Sequence, residues 1–292
     1  MTSRPPESAS PQNSFEIVRM DVEGTSSLDA DPVAVEEPLE VRLGARSLLV
    51  TMRTPGDDGD LVRGLLFTEG LVLRPGDVTA VTACRDVPDE ARGNVVTVSL
   101  REGVTLDEER TARVGMVSSG CGVCGKTTLE AIATLAPPVQ SGPPLSAQLL
   151  LSLPEELRRR QAVFEATGGL HAAALFDREG NFLALKEDVG RHNAVDKVVG
   201  EALRFGRVPL VNTILMVSGR AGFEIVQKAR KAGIPVVCSV SAPSSLAVRL
   251  ALDGRQTLVG FLRDGRFNVY AGAERFGMTP EKECELDRPE PA

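Results

Sequence analysis

Apolar positions in this chain fall into short runs bounded by Gly, Pro and Asp, and between those runs they recur every three or four residues. The first habit marks strands and the second marks helices. Along residues 15–136 the strand-like runs lie at Val41, 48–52 and 95–100, with one clear helix over 61–68. That helix follows the turn Thr54-Pro55-Gly56-Asp57-Asp58-Gly59-Asp60, with Asp60 as its expected cap and Gly70 as its expected stop. A helical pattern at 126–135 closes the segment. Pro137-Pro138-Val139-Gln140-Ser141-Gly142-Pro143-Pro144 then breaks any regular element, so 137–144 reads as a linker between two domains.

The second segment is more regular. Helical sequence over 145–163, interrupted at Pro154, leads into the apolar run 172–176. A hairpin at Asp177-Arg178-Glu179-Gly180-Asn181 returns strand 182–186, and a helix starting near Asn193, a good capping residue, runs to 205. Strand 213–217, helix 223–232, strand 234–239, helix 245–252 and strand 256–262 follow, and the turn Arg263-Asp264-Gly265-Arg266 pairs the last with 267–270. Strands alternating with single helices predict the α/β class, with a layered α/β/α sheet domain over 145–276 after a smaller α+β domain over 15–136. Ligands of such sheets sit beyond the carboxyl ends of the strands, here at Ser218-Gly219-Arg220-Ala221-Gly222 and at 239–244. Residues 1–14 read as a disordered tail and 277–292 as an acidic one.

Composition narrows the class. The chain has 292 residues, 42% hydrophobic and 25% charged, as in globular proteins. Its longest apolar runs are far too short to span a bilayer, so no membrane role is expected. The Pro- and Ser-rich start has no apolar signal core, and the cytosol is the expected compartment. The net charge of −7 is carried by the ends: residues 1–40 hold two Arg against nine acids, and the rest is mildly basic. That excess is too small for nucleic-acid binding, and with no Trp and one Tyr there is little to stack bases on. Five Cys, an odd number, argue against a disulfide framework.

The most distinctive chemistry is Ser119-Gly120-Cys121-Gly122-Val123-Cys124-Gly125-Lys126. It sets two thiols three positions apart among three glycines, and Lys126 favours the nucleophilic thiolate. A structural zinc knuckle would need two more ligands, for which only His171 and His192 are candidates. A thioredoxin-like redox pair would open a helix. Sulfur carriage needs a nucleophile and a nearby second thiol. The spacing leaves all three open. Elsewhere, Ser218 and Arg220 at a helix start suit a phosphate. The run Glu187-Asp188-Val189-Gly190-Arg191-His192-Asn193 packs enough polar groups to line a pocket around Arg191. Gly168-Gly169-Leu170-His171-Ala172-Ala173 is reminiscent of a zinc-deaminase His-x-Glu signature, but Ala173 replaces the acid/base Glu and the Cys-x-x-Cys precedes the His, so deaminase chemistry is not expected.

Four motifs in this order, Cys121-Gly122-Val123-Cys124-Gly125-Lys126, Thr167-Gly168-Gly169-Leu170-His171, Glu187-Asp188-Val189-Gly190-Arg191-His192-Asn193-Ala194 and Val259-Gly260-Phe261-Leu262-Arg263, resemble those of the formate dehydrogenase accessory sulfurtransferases. The likeness covers about residues 36–276. It implies a sulfurtransferase that carries sulfur from a cysteine desulfurase to the molybdenum cofactor, Mo-bis(molybdopterin guanine dinucleotide), for formate dehydrogenase. It further implies a Cys121 persulfide with Cys124 as relay or resolving thiol, a cytidine-deaminase-like second domain, and a homodimer with no tightly held metal of its own. The family's cofactor-binding stretch falls on Phe261, Leu262, Arg263, Asp264, Gly265 and Arg266; beside it, the residue pattern itself offers His171, Arg191, Ser218 and Arg220 as further pocket residues. The competing reading is a non-catalytic cofactor chaperone whose Cys121 and Cys124 form a structural metal knuckle.

Overall fold

The computed structural model describes residues 10–111, 137–139 and 144–278. The helix expected at 126–135, the thiol loop and the acidic end lie outside the described residues. Strands β1 (Gln12–Met20) and β2 (Ser26–Ala34) pair antiparallel as a separate two-stranded sheet. The disorder expected through Ser14 is therefore corrected for 12–14, which pair with Ala34, Val33 and Pro32. Next come β3 (Glu37–Leu43), β4 (Arg46–Arg53), helix α1 (Asp58–Thr68), β5 (Val78–Ala83) and β6 (Val95–Leu100). These four strands form one sheet in the order β4-β3-β6-β5.

Helix α1 starts where Asp57 takes a left-handed turn at φ 56°, without a side-chain cap. The expected cap, Asp60, lies inside the helix, where its carboxylate grips Arg204 through two bonds of 2.7 and 2.9 Å. An ion pair with a residue 144 positions away outcompetes local capping. Leu61, Val62, Leu65, Leu66 and Phe67 are all buried, so α1 presents a broad apolar face to the core, with Asp58, Gly59 and Arg63 left partly exposed.

Helix α2 (Ala147–Arg158) is capped by Ser146, whose side chain accepts from Leu149 N–H. It runs straight through Pro154, correcting the expected interruption there; Leu150, Leu153 and Leu157, all fully buried, hold its inner face. The break comes later, before α3 (Ala162–Thr167). The remaining elements are β7 (His171–Asp177), β8 (Phe182–Asp188), α4 (Arg191–Arg204), β9 (Thr213–Val217), α5 (Phe223–Lys231), β10 (Val236–Ser239), α6 (Ser245–Asp253), β11 (Thr257–Arg263) and β12 (Arg266–Ala271).

Strands β7–β12 build a six-stranded sheet in the order β12-β11-β10-β9-β7-β8, with β9, β10 and β11 parallel and the other pairings antiparallel. Alternate residues sort cleanly between two apolar clusters. Ala173, Leu175, Leu215, Val217, Val237 and Leu258 join the one that contains α4, α5 and α6. Ala172, Ala174, Phe176, Ile214, Met216, Val236, Cys238 and Val259 join the one built on α2. Helices thus cover both faces, which is why these strands read as unbroken apolar runs. The first cluster also takes in Leu39, Val41, Val96 and Val98 of the smaller sheet together with α1, so one core runs across the 137–144 stretch. Part of that stretch is docked: Val139 is buried, with its N–H on the Gly254 carbonyl.

Candidate functional site

The described candidates gather along one edge of the six-stranded sheet. The parallel strands β9, β10 and β11 end there, and β7, running antiparallel to β9, begins there with His171. Strand β8 ends there at Asp188, immediately before α4 opens with Arg191 and His192. The result is a ledge running from the β11–β12 turn to the start of α4. From β11 to β7 is three strand spacings, or about 14 Å.

The loops of the ledge are tied to one another. Ala172 N–H donates to Ser218 Oγ at 2.8 Å and Ser218 N–H to the Ala172 carbonyl at 3.0 Å, so the Ser218 hydroxyl extends the β7–β9 ladder. Ser239 Oγ lies 3.1 Å from the Gly219 carbonyl and 2.6 Å from that of Ser241. Ala221 bridges to Pro243, and Ser244 caps α6 by accepting from Ala247 N–H. Gly219 lies close under the imidazole: a Cβ there would sit 3.1 Å from His171 Nδ1, so a side chain would have to displace the ring slightly. Arg220, on the same loop, is exposed.

At the other end of the ledge, β11 bulges between Gly260 and Arg263, where Phe261 and Leu262 oppose the single residue Phe267. Phe261 sits at φ +53°, a conformation that costs an L side chain about 1–2 kcal/mol. Its N–H donates to the Ser241 carbonyl, and Gly260 leaves no room for a Cβ between Pro243 and Tyr270. Leu262 points into the core, while Arg263 and Arg266 are exposed on either side of a two-residue turn, Asp264-Gly265, with both φ positive. That is the hairpin turn Asp-Gly favours. The Arg263 guanidinium lies 5.9 Å from the Phe261 ring and 3.6 Å from Asp264.

The charged run 187–197 divides in two. Most of it holds the fold, so Glu187, Asp188 and Asn193 do not line the pocket expected around Arg191. Glu187 accepts from Val163 and Phe164 N–H and so caps α3. Asp188, fully buried, accepts from Thr54 N–H, Gly190 N–H and Asn193 Nδ2, and pairs with buried Lys197 at 2.8 Å. Asn193 does not cap α4; Gly190 holds that position, and Asn193 Nδ2 reaches the Met52 carbonyl at 2.7 Å. These groups clamp the end of β4 onto α4.

Only Arg191 and His192 are left to the ledge. His192 Nε2 approaches Glu224 Oε2 of α5 to 2.9 Å, without hydrogen-bond alignment, and Arg191 Nε is buried with no hydrogen-bond partner among the described residues. Burial alone would raise the Glu224 carboxyl, but His192, Lys228 and Arg191 outweigh it and hold Glu224 below the usual carboxylate range. Burial, followed by the charges of Arg191 and His192, lowers His171 and leaves it a neutral ring near pH 7. The first turn of α5 already carries the Glu224 carboxylate, so the phosphate expected after Ser218 would meet a negative charge there. Glu224 carried no sequence signal, because its partner lies 32 positions earlier on another helix.

Cys121 and Cys124 lie outside the described residues. Of the described thiols, Cys238 is fully buried and burial pushes it far up, which makes it inert. Among the described residues no group of three or more His, Cys, Asp or Glu is placed to hold a metal ion, and no helix is long and apolar enough to cross a membrane.

Residues 34–277 match the model of the FdhD/NarQ family. The chain is 52% identical over 258 residues to a protein of Anaeromyxobacter dehalogenans, covering 85% of this chain and 90% of that one. It is 49% identical to one of Streptomyces avermitilis, covering 88% and 93%. Both relatives are named sulfur carrier protein FdhD. The fold also matches the crystal structure of a candidate formate dehydrogenase accessory protein from Desulfotalea psychrophila, with a TM-score of 0.71, 25% identity, and coverage of 91% of this chain and 99% of that one. The chain belongs to the FdhD/NarQ family.

Proposed function

We propose that this protein is a sulfurtransferase serving formate dehydrogenase, carrying sulfur as a persulfide on Cys121. The observation that carries the reading is half identity, over most of the chain, to relatives named sulfur carriers, in a sequence whose only paired thiols are Cys121 and Cys124. In the loading step, the Cys121 thiolate attacks the terminal sulfur of a persulfide on a cysteine desulfurase. The donor's S–S bond breaks as the new one forms, and the donor leaves as a thiolate, so electrons and protons balance without a further reagent. Cys124 stands ready as relay or resolving thiol.

The acceptor on this reading is Mo-bis(molybdopterin guanine dinucleotide), bound along the ledge of a cytidine-deaminase-like domain. Phe261, Arg263 and Arg266 would take the guanine nucleotide end, through ring packing and charge-assisted bonds to its diphosphate. His171 and Arg191, about 14 Å across the sheet, would contact the rest of an elongated ligand. A cytosolic homodimer completes the proposal.

The test is mass spectrometry of the purified chain after incubation with a desulfurase and cysteine. A gain of one sulfur atom is expected, lost in Cys121→Ser, and Cys121→Ala should fail to activate formate dehydrogenase. Full client activation by Cys121→Ala would overturn the assignment. One tightly held zinc per chain, absent from Cys124→Ala, would replace it with the metal-knuckle reading.

A further inference from the structure

At the end of α4 away from the ledge, Arg63, Arg74 and Arg204 line one cavity of about 220 Å³, with Phe67, Val78 and Leu203 as its apolar wall and no acidic residue in its lining among the described residues. Helix α4 has 14 residues, which puts this cavity roughly 20 Å from Arg191. The three guanidiniums are held differently. Arg204 commits Nε and Nη2 to buried Asp60, which fixes its plane and leaves the Nη1 edge free. Arg63 donates Nη1 to the Gly59 carbonyl and makes no ion pair with a described residue. The turn carrying Arg74 is pinned by Asp77 Oδ2, which accepts from Leu73 and Arg74 N–H. The Arg74 side chain itself is exposed and has no carboxylate among the described residues, since Asp77 is matched by Arg101 at 2.7 Å.

Two guanidiniums without a carboxylate partner among the described residues, and the outer edge of a third, therefore line one concavity. Helix C-termini nearby soften that repulsion but cannot satisfy the outward N–H groups. A planar carboxylate is saturated by one or two such forks, whereas a phosphate offers three oxygens in different directions. We propose that this cavity binds the phosphate of a small phosphate monoester, with its carbon skeleton, of about sugar size, lying on Phe67, Val78 and Leu203. The site is separate from the ledge and does not depend on sulfur carriage.

Titration calorimetry of the full chain with ribose 5-phosphate tests it. Saturable binding is expected, weakened at least tenfold in Arg63→Gln/Arg74→Gln and unchanged in Arg263→Ala/Arg266→Ala. Neither Arg63 nor Arg74 carries an ion pair within the described fold, so the double variant should keep its melting temperature. If it does not, Arg74→Gln alone, at an exposed position, should still lose at least threefold. Absence of saturation up to about 10 mM, or parental affinity in both the Arg63→Gln/Arg74→Gln and the Arg74→Gln variants, would overturn the proposal. So would a loss seen only in the Arg263/Arg266 variant.

Discussion

The backbone carbonyl of Asp196 occupies the space a side chain on Gly64 would need, and the carbonyl of Asp60 does the same opposite Gly200. Helices α1 and α4 thus cross backbone to backbone, each supplying the glycine that admits the other. Gly64→Ala must push the helices apart. Overpacking of this kind costs about 1–3 kcal/mol, and more where backbone cannot yield. We expect a clear drop in melting temperature for Gly64→Ala and a comparable one for Gly200→Ala, read by calorimetry; a melt within a degree of the parent would mean that the crossing relaxes freely.

Beside that crossing, Lys228 of α5 bonds both oxygens of Asp196, Thr68 Oγ1 and Glu69. Burial would lower the Lys228 ammonium, but Asp196 and Glu69 overcome it and keep the lysine charged. Lys228→Met should leave Asp196 as a buried carboxyl without a cation and cost about 3–5 kcal/mol. Asp196→Leu/Lys228→Met, which removes both charges, should recover most of that. Denaturant melts of the single and double variants give the coupling; a double variant as unstable as Lys228→Met would show that the network stabilises by shape rather than charge.

The larger sheet was legible from sequence because its strands are buried on both faces and bounded by strong turn residues, as at Asp177–Asn181 and Asp264-Gly265. Long-range polar pairing was not. Asp60 read as a cap because the capping rule is local, while Arg204 is 144 positions away. Glu187 and Asp188 read as pocket lining because their partners, Val163 and Phe164 for the one and Thr54 for the other, leave no trace in the pattern, and Asn193 read as a cap because nothing local points to Met52. β1 and β2 were missed since so many of their side chains, Val18, Met20 and Leu28 among them, are exposed and show no core-facing alternation. The ledge was half legible: its loops follow from strand order, but Glu224 beside His192 needed the fold.

His171 gives a pH signature. Burial and the neighbouring Arg191 and His192 lower its pKa below 6.5, against the weaker pull of Asp188. Below about 6.5 the unfolded chain takes up a proton that the folded ring refuses, so stability rises with pH through that window and is lost on acidification toward the folded pKa. An NMR titration of the His171 ring should show a midpoint below 6.5, and a midpoint at or above it would contradict the assignment. His171→Asn should flatten the acid limb of the stability profile.

Phe261 offers a way to separate strain from binding. Its φ of +53° is imposed by the bulge, by the N–H bond to the Ser241 carbonyl and by Gly260 wedged against Pro243 and Tyr270. Strained residues of this kind persist where the surroundings over-determine them. Phe261→Ala and Phe261→Gly both delete the ring, yet only glycine accepts the backbone without penalty. Glycine should therefore give the more stable variant by about 1 kcal/mol, reversing the usual order of the two residues in a strand. If the ring packs on a guanine nucleotide, both variants should bind GDP equally poorly, at least fivefold below the parent by calorimetry. A glycine variant less stable than the alanine one would remove the strain argument. Parental GDP affinity in both variants would instead place the nucleotide away from Phe261, toward His171 and Arg191.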